Sequence, residues 1–392
     1  MASNLTIPSS QHHGGQQEPL SVCPWGQVSL IAIIFYITLC SYCRFQRINK
    51  LCRQYPYPDR ASLARMTNEH AQIIVHNLSS YEFPYFYDLS QRYALFRVGR
   101  DHPRLPPPYP IEYEDTEIIF VCLANFAPTS PILHKAIARM NYLHAQYIKS
   151  GRILNEDLLY VLYTAMSEPE RFMRDLIEIN YEAELGKNQW RDAIEFLDDV
   201  STWASKYEEK YMRPTDEVER LGAALMDLLL SAYPKALRPL GYQIVMVLLG
   251  ARMRHAFRFP EPGIAVSALT YTLLLGRRLF LRYLSLPRFS RAVFVTEPDP
   301  KTGRMRHPHY LKEPWYTPAT VWWRWGPTAW ATWATGGLVP GDNAEMQPEG
   351  FLWEDIGPRN KMGRGVEEMA KMEEHVRQRA TGKCPFAISS TS

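Results

Sequence analysis

Several chemistries are missing from this 392-residue chain. It has no GxxxxGK[ST] phosphate loop and no GxGxxG after a strand, which sets aside the common nucleotide-binding frames. It has no GxSxG elbow, and no HExxH or paired CxxC zinc pattern. None of its 11 His is followed two residues later by an acid, so the close pair of a two-His-one-carboxylate iron site is absent. Six Cys do not make a disulfide scaffold. Cys384, the one cysteine in the C-terminal half, lacks the Gly frame of a thiolate-held haem. The basic surplus is small, a net +3, and that argues against nucleic acid as the main partner. Period-2 alternation is scarce and no internal repeat occurs.

The most telling segment is apolar. From Pro19 to Cys43 there is no charged residue, long enough for a helix to cross the hydrocarbon layer. Trp25 and Tyr42 stand at its ends like interfacial anchors. No Lys or Arg precedes Arg44, so the positive start of a signal peptide is missing, and the segment reads as an uncleaved anchor. Arg44, Arg47, Lys50 and Arg53 follow, which keeps the long remainder cytosolic and the N-terminus luminal. The expected organisation is a luminal tail 1–24, a transmembrane helix 25–43 and a cytosolic helical domain 44–392. Asn4-Leu-Thr6 is a glycosylation sequon in the luminal tail.

Behind the anchor the pattern is helical. Helices are expected over 62–78 and 117–125, separated by the proline-rich stretch 103–110. Ser130 as N-cap and Pro131 at the first position open a strong helix that runs to Lys149 and stops at Gly151. Asn155 is expected to cap the next helix, and another covers 188–210. Gly241 to Gly250 reads as a buried core helix. For Ile264 to Leu284 the expectation is a core helix with a solvated basic edge; the alternative is a helix on a membrane surface. Residues 286–360 form an irregular wrap with one short helix near 318–333, and a charged surface helix covers 366–379.

What remains is histidine chemistry. Leu133, Ile137, Met140, His144 and Tyr147 share one apolar face of the helix from Pro131 to Lys149, so His144 points inward. A buried imidazole is either a hydrogen-bonded core residue or a ligand to a metal or haem iron, and the residues alone leave both open. His134 is placed on the opposite, solvent side with Ala138 and Asn141. His307 and His309 flank Pro308 in a loop, and His255 sits among arginines.

Arg139-Met-Asn-Tyr-Leu-His-Ala-Gln-Tyr147, then Gly151-Arg-Ile153, then Asn155-Glu-Asp-Leu-Leu-Tyr160, resembles the MpaB-type oxygenases of fungal natural-product pathways, membrane-anchored relatives of bacterial latex-clearing proteins. Glu82-Phe-Pro-Tyr85, Ala94-Leu-Phe-Arg97, Tyr207-Glu-Glu-Lys-Tyr-Met212, Arg324-Trp-Gly-Pro327, Pro340-Gly-Asp342, Pro348-Glu-Gly350 and Gly357-Pro358 follow in the same order. The resemblance implies an all-α, globin-like fold holding haem b through one proximal histidine, which falls on His144. It implies an enzyme of the endoplasmic reticulum membrane. Its reaction would be O₂-dependent cleavage or oxidation of a carbon–carbon double bond in a lipophilic isoprenoid or polyketide-derived intermediate. Another redox step, or a non-catalytic relative, is the alternative. Arg139 and Arg252 are the candidate propionate partners, because guanidinium pairs well with carboxylate. Arg97 is the catalytic candidate. Two departures stand out. The Gly-, Ile- and Thr-rich segment that follows Leu-Phe-Arg in the family is replaced by Val98-Gly-Arg-Asp-His-Pro103. A Glu-Trp-Arg helix is missing between Phe172 and Ile179.

Overall fold

The computed structural model describes residues 24–63, 66–98, 110–127, 129–154, 156–161, 163–165, 193–231, 233–310 and 313–380. It is all-α: no strand occurs among the described residues, only an isolated antiparallel bridge between Met305 and Phe351.

Helix α1 runs Pro24–Gln54, beyond the expected span 25–43. Nothing at Cys43 breaks the backbone ladder; only the side chains change from apolar to basic there. Arg44 and Arg47 then reach Glu82 at 3.4 Å each and tie α1 to the body. The expected helix 62–78 is split into α2 (Arg60–Leu63) and α3 (Asn68–Asn77), because the Thr67 side chain accepts from the His70 N–H and starts a new helix. A π-turn, Leu78–Glu82, leads into α4 (Pro84–Val98).

Helix α5 spans Pro110–Asn125 and starts seven residues before the expected Glu117. Its first turns carry Glu114, Asp115 and Glu117, all buried. Charge makes such a stretch read as loop, yet here each carboxylate meets a partner from elsewhere in the chain. Helix α6 (Pro131–Lys149) has the bounds the sequence dictates, with Ser130 accepting from the Ile132 N–H. The chain leaves it through Gly151 at φ 66°, a conformation that suits glycine.

Two cores result. The first joins α5 and α6 to the C-terminal wrap: Ile118, Cys122, Ile132 and Ala136 meet Met305, Tyr316, Phe351 and Trp353. Where the wrap crosses itself only glycine fits. A Cβ on Gly350, at φ 103°, would lie 2.2 Å from the Met305 carbonyl oxygen. The second core joins α7 (Ala193–Tyr211), α8 (Asp216–Leu230) and α9 (Arg238–Ala256) through Tyr207, Met226, Met246 and Phe257. The core reading of 241–250 agrees with α9, where Val245, Met246 and Leu249 are buried.

Helix α10 (Ile264–Tyr283) overturns an expectation. It is no core helix: Thr270 is its one buried residue, and Ile264 is 90% exposed. Where one short helix near 318–333 was expected, the wrap carries two, α11 (Val321–Trp325) and α12 (Pro327–Ala334), divided at Gly326, whose backbone is extended ahead of Pro327. The last helix, α13 (Val366–Ala380), packs along α6 with Met369 buried, so it is a lid on the core rather than a free surface helix.

Candidate functional site

Helix α6 is the centre of the site, and it is covered twice. Helix α5 packs on one side and α13 on another. An amphipathic reading allows one covered face, so it misplaced His134 and Ala138. Both are buried: His134 is 4% exposed and Ala138 fully enclosed. His144, five residues before the helix end at Lys149, is partly buried on a helical mount.

Arg139 is fully buried, and every N–H of its guanidinium is spent within the fold. Nε donates to the Ile356 carbonyl at 2.7 Å. Nη1 donates to the Arg364 carbonyl at 2.7 Å and faces the Met369 sulfur at 3.5 Å. Nη2 donates to the carbonyls of Glu354 at 2.9 Å and Lys361 at 3.0 Å. This corrects the expectation of a propionate partner: Arg139 pins the C-terminal wrap onto α6. Arg252 is also committed, to Glu208 at 3.0 Å, Glu209 at 3.3 Å and the Ser205 carbonyl at 2.8 Å. Arg97 lies in the last turn of α4, and its side chain is outside the described residues, as is all of Asn4. So are 99–109 and 166–192, which include both departures from the family pattern.

The fold assembles a second group of residues that the sequence analysis passed over. Arg92 on α4 is buried between Asp88 at 2.9 Å and Glu117 of α5 at 2.7 Å. Burial works against the Arg92 charge, but the carboxylates of Glu117 and Asp88 outweigh it and hold the guanidinium protonated. Two acids share one cation, so burial together with Asp88 leaves Glu117 well above the usual carboxylate range, despite Arg92. Beside them His307 Nδ1 lies 3.4 Å from Glu114 Oε2, both nearly fully buried. His309 is pushed down to about 4 by burial and by His307. Asp88 Oδ1, Arg92 Nη1, Glu117 Oε2 and His307 Nε2 are buried with no hydrogen-bond partner among the described residues. Burying such atoms costs stability, and groups of this kind mark functional sites more often than structural ones tolerate. The available signals were local: the i,i+4 pair Asp88/Arg92, the i,i+3 pair Glu114/Glu117, and His-Pro-His at 307–309.

Asp115 links this cluster to α6. It accepts from the Tyr316 hydroxyl at 2.7 Å and from the Gly357 N–H at 2.7 Å. Gly357 in turn packs against Leu143, the neighbour of His144. Burial lifts Asp115 to about 7, against the pull of those two donors. The unfolded carboxyl titrates near 3.8, so the folded state binds the proton more tightly. Its favourable contribution is therefore complete below 3.8 and is lost as the pH rises towards 7. Asp115→Asn cannot titrate. Relative to the wild type, its stability should improve between about pH 4 and about pH 7 and level off above, as measured by urea unfolding. A difference that stays flat with pH would contradict a protonated Asp115.

The donor set can be tested against the haem implied by the sequence. An imidazole on a packed helix suits iron as a neutral nitrogen ligand, and His144 meets that requirement. Of the two arginines assigned to the propionates, Arg139 does not fit, since every one of its donors is taken; Arg252 is 38% exposed and already paired with Glu208 and Glu209. No group of three or more His, Cys, Asp and Glu among the described residues is arranged to hold a metal ion by itself.

The chain is similar to known proteins along most of its length. The ER-bound oxygenase mpaB' of Penicillium brevicompactum is 30% identical, over 98% of this chain and the full length of that protein. The ER-bound oxygenase mpaB of the same species is 29% identical over 90% of this chain and 94% of its own. The mpaB of Penicillium roqueforti strain FM164 is 27% identical over 60% and 91%. The first alignment runs over 422 positions, more than the 392 residues present here, so that relative carries residues this chain lacks. No family model and no solved structure matches. With a relative at this identity matched along its whole length, and with an all-α body behind an apolar N-terminal helix, the chain belongs to the MpaB-type ER-bound oxygenases and is an oxidoreductase.

Proposed function

We propose that this protein is a haem b-dependent oxygenase of fungal secondary metabolism. It would use O₂ to cleave or oxidise a carbon–carbon double bond in an isoprenoid or polyketide-derived intermediate. The observation that carries the reading is His144. It stands on a helix clamped by α5, α13 and the Arg139 hydrogen bonds, within a chain related to oxygenases along its length. His144 would hold the iron. Haem b, when bound, supplies the electron-transfer chemistry that O₂ requires and no side chain provides.

The chain's own residues do the rest. Packing of α5 and α13 on α6 holds in place the helix that carries the imidazole. Asp115, neutral up to about 7, holds a proton two contacts away without placing a fixed charge there. Arg97 is proposed to act on the reacting side. Arg252 and Arg139 stay with their protein partners. The N-terminal half of α1 would cross the endoplasmic reticulum membrane once, with Arg44 to Arg53 on the cytosolic side and Asn4 in the lumen, where it can be glycosylated. Anchoring suits a substrate that partitions into lipid.

Purified full-length chain, produced with ample porphyrin supply, should show a Soret band. It should also convert a prenylated aromatic test compound into aldehyde or ketone fragments only in the presence of O₂. A folded protein without the band would overturn the reading. A band with an alcohol or ring product in place of fragments would select a different redox step on the same scaffold.

A further inference from the structure

Helix α10 begins with Ile264-Ala-Val-Ser-Ala-Leu-Thr-Tyr-Thr-Leu-Leu-Leu-Gly276, which has no charge. Its 20 residues make a rod of about 30 Å. A helix this apolar around its perimeter is stable either inside a protein core or inside lipid. The core is excluded by exposure: Tyr271 is 62%, Leu273 55%, Leu275 54% and Phe280 53% exposed. These side chains fan over more than half of the perimeter.

Three further observations identify the cover. First, the Ser and Thr hydroxyls of this helix are spent on its own backbone. Ser267 donates to the Gly263 carbonyl at 3.1 Å, Thr270 to Val266 at 2.8 Å and Thr272 to Ala268 at 2.7 Å. Helix α1 does the same with Ser29 to Trp25 and Thr38 to Ile34. Internal satisfaction of polar groups is what a hydrocarbon environment demands. Second, α10 packs on α1. The Tyr36 hydroxyl donates to the Leu284 carbonyl at 3.0 Å, and Arg47 Nη2 to the Arg288 carbonyl at 2.6 Å. The exposed apolar surface of α10 is thus continuous with that of the anchor. Third, cations gather where the two helices meet. Arg282 lies over the Phe45 ring at 5.9 Å and Arg288 over Tyr85 at 4.9 Å, near Arg44 and Arg47 on Glu82. A cleft of about 320 Å³ opens there, lined by Arg47, Lys50, Gln54, Asn77, Tyr81 and Phe289. Basic residues beside an apolar rod match an anionic headgroup layer.

We propose that α10 is a second membrane element, its outward face covered by lipid acyl chains and its basic end by anionic headgroups. The body is then held to the bilayer by two helices, one of them far along the chain from the N-terminus. This does not depend on the haem.

The test uses the full chain in vesicles of phosphatidylcholine with a minor share of phosphatidylserine. Tyr271→benzoylphenylalanine and Leu275→benzoylphenylalanine each place a photo-crosslinker on the outward face. Ile33→benzoylphenylalanine on α1 is the positive control. Tyr233→benzoylphenylalanine, at an exposed residue between α8 and α9, is the negative one. All four replace exposed side chains, so folding is not at stake. Irradiation should attach lipid to positions 271 and 275 as it does to 33, and not to 233. A covalent dimer of the chain through 271 or 275 would overturn the proposal in favour of a second copy. Absence of any lipid adduct at both positions, with position 33 labelled, would overturn it in favour of water.

Discussion

Arg139→Ala should destabilise the protein by about 3–5 kcal/mol, the usual cost of removing one partner from a buried charged network. The expectation follows from the count of what is lost. The carbonyls of Glu354, Ile356, Lys361 and Arg364 all point at this one guanidinium, and the residue is fully enclosed. Alanine leaves those carbonyls buried and unmatched, together with a cavity where the planar group sat. Arg139→Lys should recover little, because an ammonium cannot serve carbonyls spread in a plane around it. The loss should also be local. The segment 354–380 should become sensitive to protease before the rest of the chain, since Arg139 is what holds it against α6. Arg252→Ala provides the contrast. Its side chain is 38% exposed and that of Glu209 71%, while Glu208 is buried, so removal should cost less than at Arg139, about 1–2 kcal/mol, most of it from leaving Glu208 short of a partner. Urea unfolding of the three variants decides the matter. If Arg139→Ala unfolds within about 1 kcal/mol of the wild type, the carbonyl cage carries no such weight.

His144→Ala should abolish the Soret band and all O₂-dependent turnover, and added imidazole should restore part of the band by filling the vacated space. His134→Ala is the necessary companion. His134 is more deeply buried than His144, on the same helix, with Ala138 one turn further along. If His134 has a packing role, its replacement lowers stability and leaves the spectrum intact. The opposite pattern, a lost band in His134→Ala and a normal one in His144→Ala, would transfer the ligand role to His134 and refute the assignment drawn from the Leu-His match. Loss of the band in both would leave the ligand to be named by imidazole rescue, which should work only at the ligand's own position.

How far the chain could be read in advance differs from helix to helix. Helix α6 was legible to the residue, because Ser130, Pro131 and Gly151 act on their immediate neighbours. The apolar half of α1 was legible for the same local reason. Its continuation to Gln54 was not, since the expected end rested on where charge begins at Arg44, and charged side chains do not stop a helix. Helix α5 was half hidden. Glu114, Asp115 and Glu117 looked like solvated residues until Arg92, His307 and Tyr316 arrived from distant parts of the chain. Of the site residues, His144 was read onto its helix from the sequence, and the structure leaves it partly buried there. The direction of His134 and the partners of Arg139 and Arg252 were misjudged, because each depends on which element packs against which.

Local order in the chain was enough to establish an all-helical body, an apolar lead helix, the mount of His144 and kinship with the oxygenases. Capping, helical period and apolar run length are properties of neighbouring residues. Packing settled the rest: that α6 is covered on two sides, that Arg139 serves the wrap, that acids of α5 lie in a core, and that most of the apolar surface of α10 stays uncovered by protein. A buried helix and a lipid-facing one have the same composition, and a carboxylate on a surface has the same letter as one beside a buried arginine. What separates them is the surface that folding brings alongside, and that surface comes from residues far away in sequence.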